Sequence, residues 1–486
     1  MIQNTPFIHL FKDAGSYFFY DVNKNTIVKV QKSLWEFLKK QQYQLNQGIQ
    51  EQDSKDNDTI QKMQKQGFLS SNRVKDIIHP ADEILIYHLQ NKIQMVTLQV
   101  TQQCNLRCSY CVYSGEYQNR QHSNKRISFE MAKRAIDFLI VHSCDNKYIS
   151  LGFYGGEPLL EFDLVKKCIE YAKARGLGKE LLFSITTNGT MLNAEIIEYL
   201  ENNNVSLMIS LDGPKEIQDK NRKFAFNNCG TFDKVIENIK MVKTYFPQYY
   251  KKIAFSAVVD PKNDFSCINT FFSTDEIIGD CMVMSSVISE NYAKNDEEFN
   301  EAFSIKYSYE YFKILLCELN RLNRRYVSKI LERRFADLKR TYRQLIPSNK
   351  VPDRTQHSGP CIPGAQRLFI TVEGNFYPCE KVSEISEAVK IGNLENGFDI
   401  GKVRNMLNIG KITEDKCKNC WAFRFCKLCA VFSDEITQLS SAKKNRYCDF
   451  IRQEAEVALK DICMLRNMGY DFSGVNIQSL LNSGNK

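Results

Sequence analysis

The chain has 486 residues, a formal net charge of +8 and 17 cysteines. Hydrophobic residues make up 43% and charged residues 25%, which is typical of a soluble globular protein. The length favours one large domain with smaller appendages. No run approaches the roughly 20 apolar residues that cross a bilayer. The first residues also lack the basic and apolar regions of a secretory signal, so we expect a cytoplasmic protein.

The first predicted elements form a small winged module over residues 1–75. Apolar and aromatic residues predict two strands, over 17–20 and 27–30, joined by a turn. The polar stretch 41–67 predicts a loop or a weak exposed helix. Between these segments, a short helix is indicated by an apolar face of Leu34, Trp35, Phe37 and Leu38.

Strands and helices then alternate over residues 90–290. Helices are predicted to begin near Ser128, Asn193 and Thr231, whose side chains can cap backbone amides. This alternation favours a parallel sheet with helices outside it. About six units predict a partial (β/α)6 barrel, an α/β fold whose chemistry lies at the carboxyl ends of its strands. The predicted strands are 94–101, 148–154, 182–187, 206–211, 253–259 and 280–287.

Residues 291–350 predict a helical bridge that is rich in basic side chains. A solvated helix face is the favoured interpretation, and a groove for an acidic peptide or a nucleic-acid surface are the alternatives. The basic residues are Arg321, Arg324, Arg325, Lys329, Arg333, Arg334, Lys339, Arg340 and Arg343.

Cysteine is the main compositional anomaly, because disulfides are rare in a reducing cytosol and metal or redox sites become the default. Cys104, Cys108 and Cys111 directly follow the first barrel strand. Three thiolates leave one iron of a four-iron cluster free to hold another molecule, whereas structural zinc needs four ligands. The nearby His122 is interpreted as a surface loop residue. The pattern therefore favours an iron-sulfur cluster over zinc.

The C-x3-C-x2-C spacing of these cysteines resembles the signature of the radical S-adenosylmethionine (SAM) superfamily. The resemblance implies that the cluster binds the methionine part of SAM and that one electron releases a 5'-deoxyadenosyl radical, which takes a hydrogen atom from the substrate. Cys104, Cys108 and Cys111 are then the catalytic cluster ligands. The segments 154–158, 186–190 and 210–214 also match the superfamily where the fold would place them. The implied cofactor contacts are Tyr110, Gly155, Gly156, Glu157, Asn188, Ser210, Asp212 and Arg222.

The resemblance also implies a role for most of these contacts. The glycines would let the backbone approach the methionine ammonium, beside the negative charge of Glu157. Asn188, Ser210 and Asp212 would face the ribose and methionine, and Arg222 would meet the cofactor carboxylate. As alternatives, the Asn-Gly and Asp-Gly pairs are common turn dipeptides and Arg222 is a surface arginine.

A second cysteine constellation occupies residues 351–465 and includes two C-x2-C pairs, which could also belong to a zinc ribbon. The pattern resembles the SPASM domain, which binds two auxiliary [4Fe-4S] clusters in radical enzymes acting on peptides and proteins. Two residues separate Cys426 from Cys429, where the SPASM pattern commonly has three. The resemblance implies three clusters in all. One auxiliary cluster would be held by Cys417, Cys420, Cys426 and Cys448, and the other by only Cys361, Cys379 and Cys429.

The remaining seven cysteines lack ligand spacing. We expect them to be small core residues, with Cys229 exposed as the exception. They are Cys144, Cys168, Cys229, Cys267, Cys281, Cys317 and Cys463.

The whole chain resembles maturases of ribosomally made, cysteine-rich peptides. This implies that the N-terminal module binds a precursor leader as an added strand, that a thioether forms, and that a flavodoxin or ferredoxin supplies electrons. No nucleic acid or membrane partner is expected, and residues 466–486 are a tail. The alternatives are formylglycine formation in a sulfatase and, in another class, a zinc-binding regulatory or nucleic-acid-binding protein.

Overall fold

The computed structural model describes residues 5–46, 57–113, 117, 120–278, 281–288, 292, 300–357, 359 and 361–473. Its elements form an N-terminal sheet with two helices, a parallel sheet flanked by helices, and a C-terminal region of short strands, turns and helices. Among the described residues, no helix is both long and apolar enough to cross a membrane.

The N-terminal module contains a three-stranded antiparallel sheet in the order β1-β2-β3. The predicted strand pair and helix match β2, β3 and α1, but the sequence analysis missed β1. Its apolar residues Ile8, Leu10 and Phe11 do not alternate with polar ones, so the period of two is absent. Residues 47–56 of the polar stretch lie outside the described residues. The elements are β1 (Ile8–Asp13), β2 (Ser16–Asp21), β3 (Thr26–Val30), α1 (Lys32–Asn46) and α2 (Asn57–Lys65).

Six parallel strands, in the order β10-β9-β8-β7-β6-β5, confirm the predicted partial (β/α)6 barrel. They follow the short elements β4 (Asp76–Ile77) and α3 (Leu85–Asn91). The strands are β5 (Met95–Thr101), β6 (Tyr148–Gly155), β7 (Glu180–Thr187), β8 (Val205–Ser210), β9 (Ala254–Val259) and β10 (Met282–Val287). The connecting helices are α4 (Phe129–Val141), α5 (Phe162–Arg175), α6 (Ala194–Asn202), α7 (Lys215–Asn221), α8 (Phe232–Tyr245), α9 (Pro247–Tyr250) and α10 (Phe265–Thr274).

Two of the three predicted helix caps are correct. Ser128 accepts a hydrogen bond from the Met131 amide, and Asn193 likewise caps α6. Thr231 precedes α8 but its side chain makes no capping bond, because its hydroxyl donates to the Arg222 carbonyl instead. Asp219 accepts from the first amide of α8 in its place.

The predicted helical bridge consists of two helices, α11 (Glu301–Glu318) and α12 (Glu332–Gln344), rather than one continuous element. Several of its basic side chains are paired with acids of the same region. Arg324 lies 2.8 Å from Glu332, and Arg340 lies 2.9 Å from Asp337. These pairs agree with the interpretation as a solvated helix face.

The C-terminal region is joined to the barrel by main-chain hydrogen bonds. Strand β12 (Leu368–Ile370) pairs in parallel with β5, so one ten-stranded sheet runs from β10 through β5 into the C-terminal strands. The predicted boundary at residue 351 is therefore not a spatial boundary. The other elements are β11 (Arg354–Thr355), β13 (Asn375–Tyr377), β14 (Gly392–Asn393), β15 (Gly397–Phe398), α13 (Ile400–Leu407), α14 (Glu414–Lys418), α15 (Ser441–Arg446) and α16 (Cys448–Asn467).

The N-terminal module packs on the C-terminal region. His9 stacks on Trp421 with ring centroids 3.6 Å apart and planes 4° apart, and it lies within hydrogen-bond distance of Glu456. A shared apolar cluster, which includes Phe18 and Phe425, continues this contact. The N-terminal sheet thus rests against the loop that carries Cys420 and Cys426.

Candidate active site and cysteine groups

The first three cysteines, which we call the barrel trio, lie together on the loop after β5. The Leu106 amide donates to the Cys104 sulfur at 3.3 Å, and the Tyr113 amide donates to the Cys111 sulfur at 3.4 Å. Burial and, to a smaller extent, neighbouring thiols of the trio raise the pKa values of Cys104 and Cys108 to about 12. This mutual effect is expected of thiols that lie near one another.

The two glycines after β6 hold this loop in place. A side chain on Gly155 would place its Cβ 2.1 Å from the Thr101 carbonyl oxygen, and one on Gly156 would lie 2.1 Å from the Gln103 carbonyl oxygen. The Gly156 amide donates to Thr101 at 2.8 Å. The expected approach of this backbone to the methionine ammonium stays a prediction. These glycines admit the backbone of the cysteine loop itself.

Glu157 is buried at the end of β6, and both its carboxylate oxygens are occupied. One oxygen accepts from the Leu159 amide at 3.0 Å and the Thr187 hydroxyl at 2.7 Å, and the other accepts from the Asn188 amide at 2.8 Å. Burial raises the pKa of Glu157. The carboxylate thus ties β6 to β7, and its expected negative charge beside the methionine ammonium stays a prediction.

The predicted polar residues at the ends of β7 and β8 have different surroundings. Asn188 donates to the Asn105 side chain at 2.8 Å and lies 3.9 Å from the Cys104 sulfur. The structure therefore brings Asn188 to the barrel trio. Ser210 is half-buried at the end of β8, where it pairs in register with Ser256 of β9.

Asp212 and Arg222 form a bidentate ion pair, with nitrogen-oxygen distances of 2.9 and 3.1 Å. The Tyr110 hydroxyl also donates to Asp212, and the Val258 amide donates to it at 3.0 Å. Burial raises the pKa of Tyr110, while Asp212 raises the pKa of Arg222 against the effect of burial. The sequence analysis expected Asp212 and Arg222 to face different parts of SAM, and Arg222 alternatively to lie on the surface. In the structure both are buried and contact each other.

A second buried ion pair was missed by the sequence analysis. The Arg120 guanidinium lies 3.1 Å from the Glu384 carboxylate and donates to the Glu380 carbonyl at 2.7 Å. Tyr113 and Gln99 donate to the same carboxylate at 2.7 Å. The pair thus links the loop after the barrel trio to the segment after Cys379. Its one sequence signal was Gln99, a long polar side chain between apolar residues of strand β5.

The seven C-terminal cysteines act on one another in two sets, and their assignment to two clusters stays a prediction. Burial and Cys429 raise the pKa of Cys361 to about 11, and burial, Glu380 and these two thiols raise the pKa of Cys379. We call Cys361, Cys379 and Cys429 the C-terminal trio. Cys361 is exposed as a whole residue, although its thiol is shielded.

The other four cysteines, the quartet, affect one another in the same way. Burial raises the pKa of Cys426 to about 12, with further contributions from Cys420 and Cys417. Burial and Cys417 also raise the pKa of Cys448. Within the described residues, no three His, Cys, Asp or Glu side chains are placed to hold a single metal ion. The iron-sulfur and zinc interpretations of these cysteines both stay predictions.

The cysteines without ligand spacing only partly follow the expectation of burial. Cys168, Cys281 and Cys463 are buried, and Cys229 is exposed as expected. Cys144 and Cys267 are exposed, so the prediction was wrong for these two, which lie in a surface turn and on the outer face of α10. Cys317 is half-buried.

His122 is also less exposed than predicted. Its ring is half-buried and lies beside Tyr113, with centroids 5.7 Å apart. One ring nitrogen lies 3.3 Å from the Gln102 carbonyl oxygen, so the histidine packs on the cysteine loop without joining a ligand group.

Comparison with known proteins agrees with this site. Residues 98–268 match the family model of the Radical SAM superfamily, and this range includes the barrel trio and every predicted SAM contact. The chain carries a radical SAM domain. This confirms the resemblance inferred from the sequence.

Two curated relatives match the same part of the chain. A cysteine-type anaerobic sulfatase-maturating enzyme of Clostridium novyi is 35% identical over 162 residues, covering 32% of this chain and 42% of the relative. The radical SAM cyclopropyl synthase TigE of Paramaledivibacter caminithermalis is 27% identical over 216 residues, covering 42% and 44%. The chain thus spans less than half the length of these relatives.

A solved structure shares the fold over a longer range. Native anSMEcpe with bound AdoMet and Cp18Cys peptide superposes with a TM-score of 0.57 at 20% identity, covering 77% of this chain and 99% of that one. This likeness supports the partial barrel.

Radical SAM domains use a [4Fe-4S] cluster and SAM, and the donor set at the barrel trio fits such a cluster. Its three buried thiols would bind iron as thiolates, and their raised pKa values mean that metal binding must displace their protons. The close contacts of Gly155 and Gly156 with the Thr101 and Gln103 carbonyl groups fix the path of the loop that carries the three cysteines.

Proposed function

We propose that this protein is a radical SAM enzyme that oxidatively modifies a ribosomally made peptide, most specifically by forming a thioether in a cysteine-rich precursor. The observation that carries the proposal is the division of the seven C-terminal cysteines into a quartet and a trio. A trio of protein thiolates leaves a place for a further sulfur ligand on a four-iron cluster, and a substrate cysteine supplies such a ligand.

When bound, the cofactors would supply the difficult chemistry: a reduced cluster at the barrel trio would cleave SAM to a 5'-deoxyadenosyl radical, an auxiliary cluster with a free iron would bind substrate sulfur, and the auxiliary clusters would carry an electron away. Cys104, Cys108 and Cys111 would hold the first cluster. Tyr110, Asp212 and Arg222 are joined by a hydrogen bond and a bidentate ion pair, which hold their side chains in place. Asn188 already donates to Asn105 and accepts from Thr190, so the half-buried Ser210 is the polar group that we propose for substrate or cofactor contact at a neighbouring strand end.

The network of Arg120 and Glu384 gives the peptide-modifying site its shape in this proposal. It fixes the loop after the barrel trio against the segment after Cys379, so the distance between two proposed clusters is set by buried charges rather than by a flexible linker. Holding reacting groups at a fixed separation is the chain's own contribution to such a reaction.

The N-terminal sheet supports a peptide substrate. Strand β3 is an edge of the three-stranded sheet, and its residues are partly exposed. An extended leader segment can pair with such an edge through main-chain hydrogen bonds. The anSMEcpe structure supports the same direction, since it was solved with a bound Cp18Cys peptide. A flavodoxin or ferredoxin is the proposed reductant.

Formylglycine formation is the second candidate, and the sulfatase-maturating relative favours it. One experiment separates the two. The anaerobically reconstituted enzyme is incubated with SAM, a reductant and either a cysteine-rich precursor peptide or a sulfatase peptide, and the products are analysed by mass spectrometry. Thioether formation removes two hydrogens per bond and keeps sulfur, whereas formylglycine formation replaces sulfur by oxygen. An unmodified cysteine-rich precursor together with an oxidised sulfatase peptide would reject the first candidate.

A further inference from the structure

Two buried nitrogen side chains lie beside the quartet and have no role in the proposed function. His357 is 2% exposed and Lys444 is 1% exposed. Burying such groups is unfavourable unless they gain hydrogen-bond or charge partners. Their position therefore raises the question of what they bind.

The chain holds His357 firmly against the loop of the quartet. The preceding side chain, Gln356, accepts a hydrogen bond from the Gly410 amide at 3.0 Å. At Gly359, an added Cβ would lie 2.5 Å from the Lys427 carbonyl carbon, so this segment crosses directly over the residues that follow Cys426. The imidazole faces the Phe423 ring at a centroid distance of 6.4 Å.

Both ring nitrogens of His357 lack a hydrogen bond of normal geometry within the described part of the chain. The Leu428 backbone is close enough to favour protonation slightly, but burial and then the charge of Lys444 outweigh it and lower the pKa to about 3. The ring is therefore neutral and carries one N–H group. The structure supplies no well-aligned acceptor for that group.

Lys444 is closer to the sulfurs. Its ammonium donates to the Thr413 hydroxyl at 2.8 Å and lies 3.8 Å from the Cys417 sulfur. Its charge also acts on the thiols of Cys426 and Cys448, which belong to the same group. An ammonium has three N–H donors, and one of them is used by Thr413.

The C-terminal trio has mixed electrostatic surroundings. Burial is the main cause of the raised pKa values of Cys361 and Cys379 and the Glu380 carboxylate is a further one, but Arg367 acts in the opposite direction on Cys361 and Lys381 does so on Cys429. Arg367 also lies 3.4 Å from Glu380, so the charges at the trio are partly paired with each other.

We propose that His357 and Lys444 donate N–H hydrogen bonds to the sulfur atoms of a cluster held by the quartet and raise the reduction potential of that cluster. Reduction adds negative charge to a cluster, and N–H donors and a cation stabilise that charge. This deepens the proposed function and rests on its two auxiliary clusters, but it does not depend on which peptide is modified.

The test is a redox titration of the anaerobically reconstituted full-length protein, followed by electron paramagnetic resonance with iron and sulfide analysis. The quartet signal is the one that Cys420→Ala removes. His357→Leu and Lys444→Met each remove an N–H donor. Each should lower the equilibrium constant for reduction of this cluster about tenfold, which lowers its reduction potential by about 59 mV for one electron. His357→Gln retains an N–H group and should keep most of the potential.

His142→Leu is the matched control, because this histidine stacks on Phe138 at 4.0 Å on the barrel surface, outside the three cysteine groups. It should leave all signals unchanged. If His357→Leu and Lys444→Met bind the full amount of iron and their reduction potentials are unshifted, the inference is overturned. The same holds if His357→Leu and His357→Gln lose equal amounts of iron, because the retained N–H group would then make no difference. If the enzyme modifies the peptide but the variants have unshifted reduction potentials, this inference is rejected and the proposed function stands. If the variants have shifted potentials but the enzyme leaves the peptide unmodified, the proposed peptide reaction is rejected and this inference stands.

Discussion

The barrel trio and the quartet are both sets of buried thiols, but the chain surrounds them differently. The barrel trio follows a seven-residue central strand and is held by main-chain hydrogen bonds to the ends of neighbouring elements. The quartet lies on the five-residue helix α14, a short turn and the first residue of α16. The strand framework fixes the first site without a ligand, whereas the second depends more on metal binding for its shape.

Cysteine replacement should give the largest contrast. Cys108→Ala is expected to abolish formation of 5'-deoxyadenosine from SAM, because its thiolate is needed to hold the proposed barrel cluster. Cys420→Ala should retain that activity and lose about a third of the iron, one of three four-iron clusters. Product chromatography and iron analysis measure both effects. Cys168→Ala, in the barrel core, is the control, and SAM cleavage by Cys108→Ala would contradict the assignment.

The rigidity of the loop that carries the barrel trio can be tested at the two glycines that contact it. Gly156→Ala should destabilise the protein by about 3 kcal/mol or more, since its Cβ would overlap the Gln103 carbonyl and neither backbone segment can move easily. Gly401→Ala is the matched control in α13, where the nearest atom to an added Cβ is a side-chain oxygen at 3.4 Å. It should leave stability unchanged or raise it by up to about 1 kcal/mol. Thermal unfolding of both variants checks the prediction, and equal melting temperatures would contradict it.

These contacts also show what the sequence could and could not predict. Strand-helix alternation predicted all six barrel strands because it is a local pattern, whereas the two C-terminal cysteine groups were implied by a resemblance and stay a prediction. The partners of Glu157, Asp212 and Arg222 could not be predicted, since those bonds join residues from different strand ends. The pair of Arg120 and Glu384 is separated by more than half the chain, and neither residue belongs to a recognisable motif.

The link between the two kinds of site can be tested at that pair. Arg120→Met should destabilise the protein by about 3 to 5 kcal/mol, because it leaves the buried Glu384 carboxylate without its cation. Arg120→Met combined with Glu384→Met should recover most of that loss. Denaturant unfolding of the single and double variants measures the coupling. A double variant as unstable as the single one would show that the pair does not act as a unit.

The smallest change in stability is expected at the contact between the N-terminal module and the loop of the quartet. Burial holds the pKa of His9 below its usual value of 6.5 despite Glu456. The undocked state therefore binds more protons, and the contact should weaken as the pH falls through about 6.5 and below. Trp421→Ala should remove about 0.5 to 1.5 kcal/mol of stacking and with it most of this pH dependence. Limited proteolysis at pH 5.5 and 7.5 measures the opening, and a wild-type protein that is equally resistant at both values would contradict the prediction.

The pairing of β12 with β5 has a consequence for handling the protein in parts. Strand β5 is the first strand of the barrel, and β12 covers the edge that β6 does not. A fragment that ends before β12 would present a bare row of main-chain donors and acceptors on a largely buried strand, which is a template for self-association. The C-terminal region thus keeps the catalytic barrel soluble as well as carrying cysteines, and expression of the barrel alone should yield aggregates rather than a minimal enzyme.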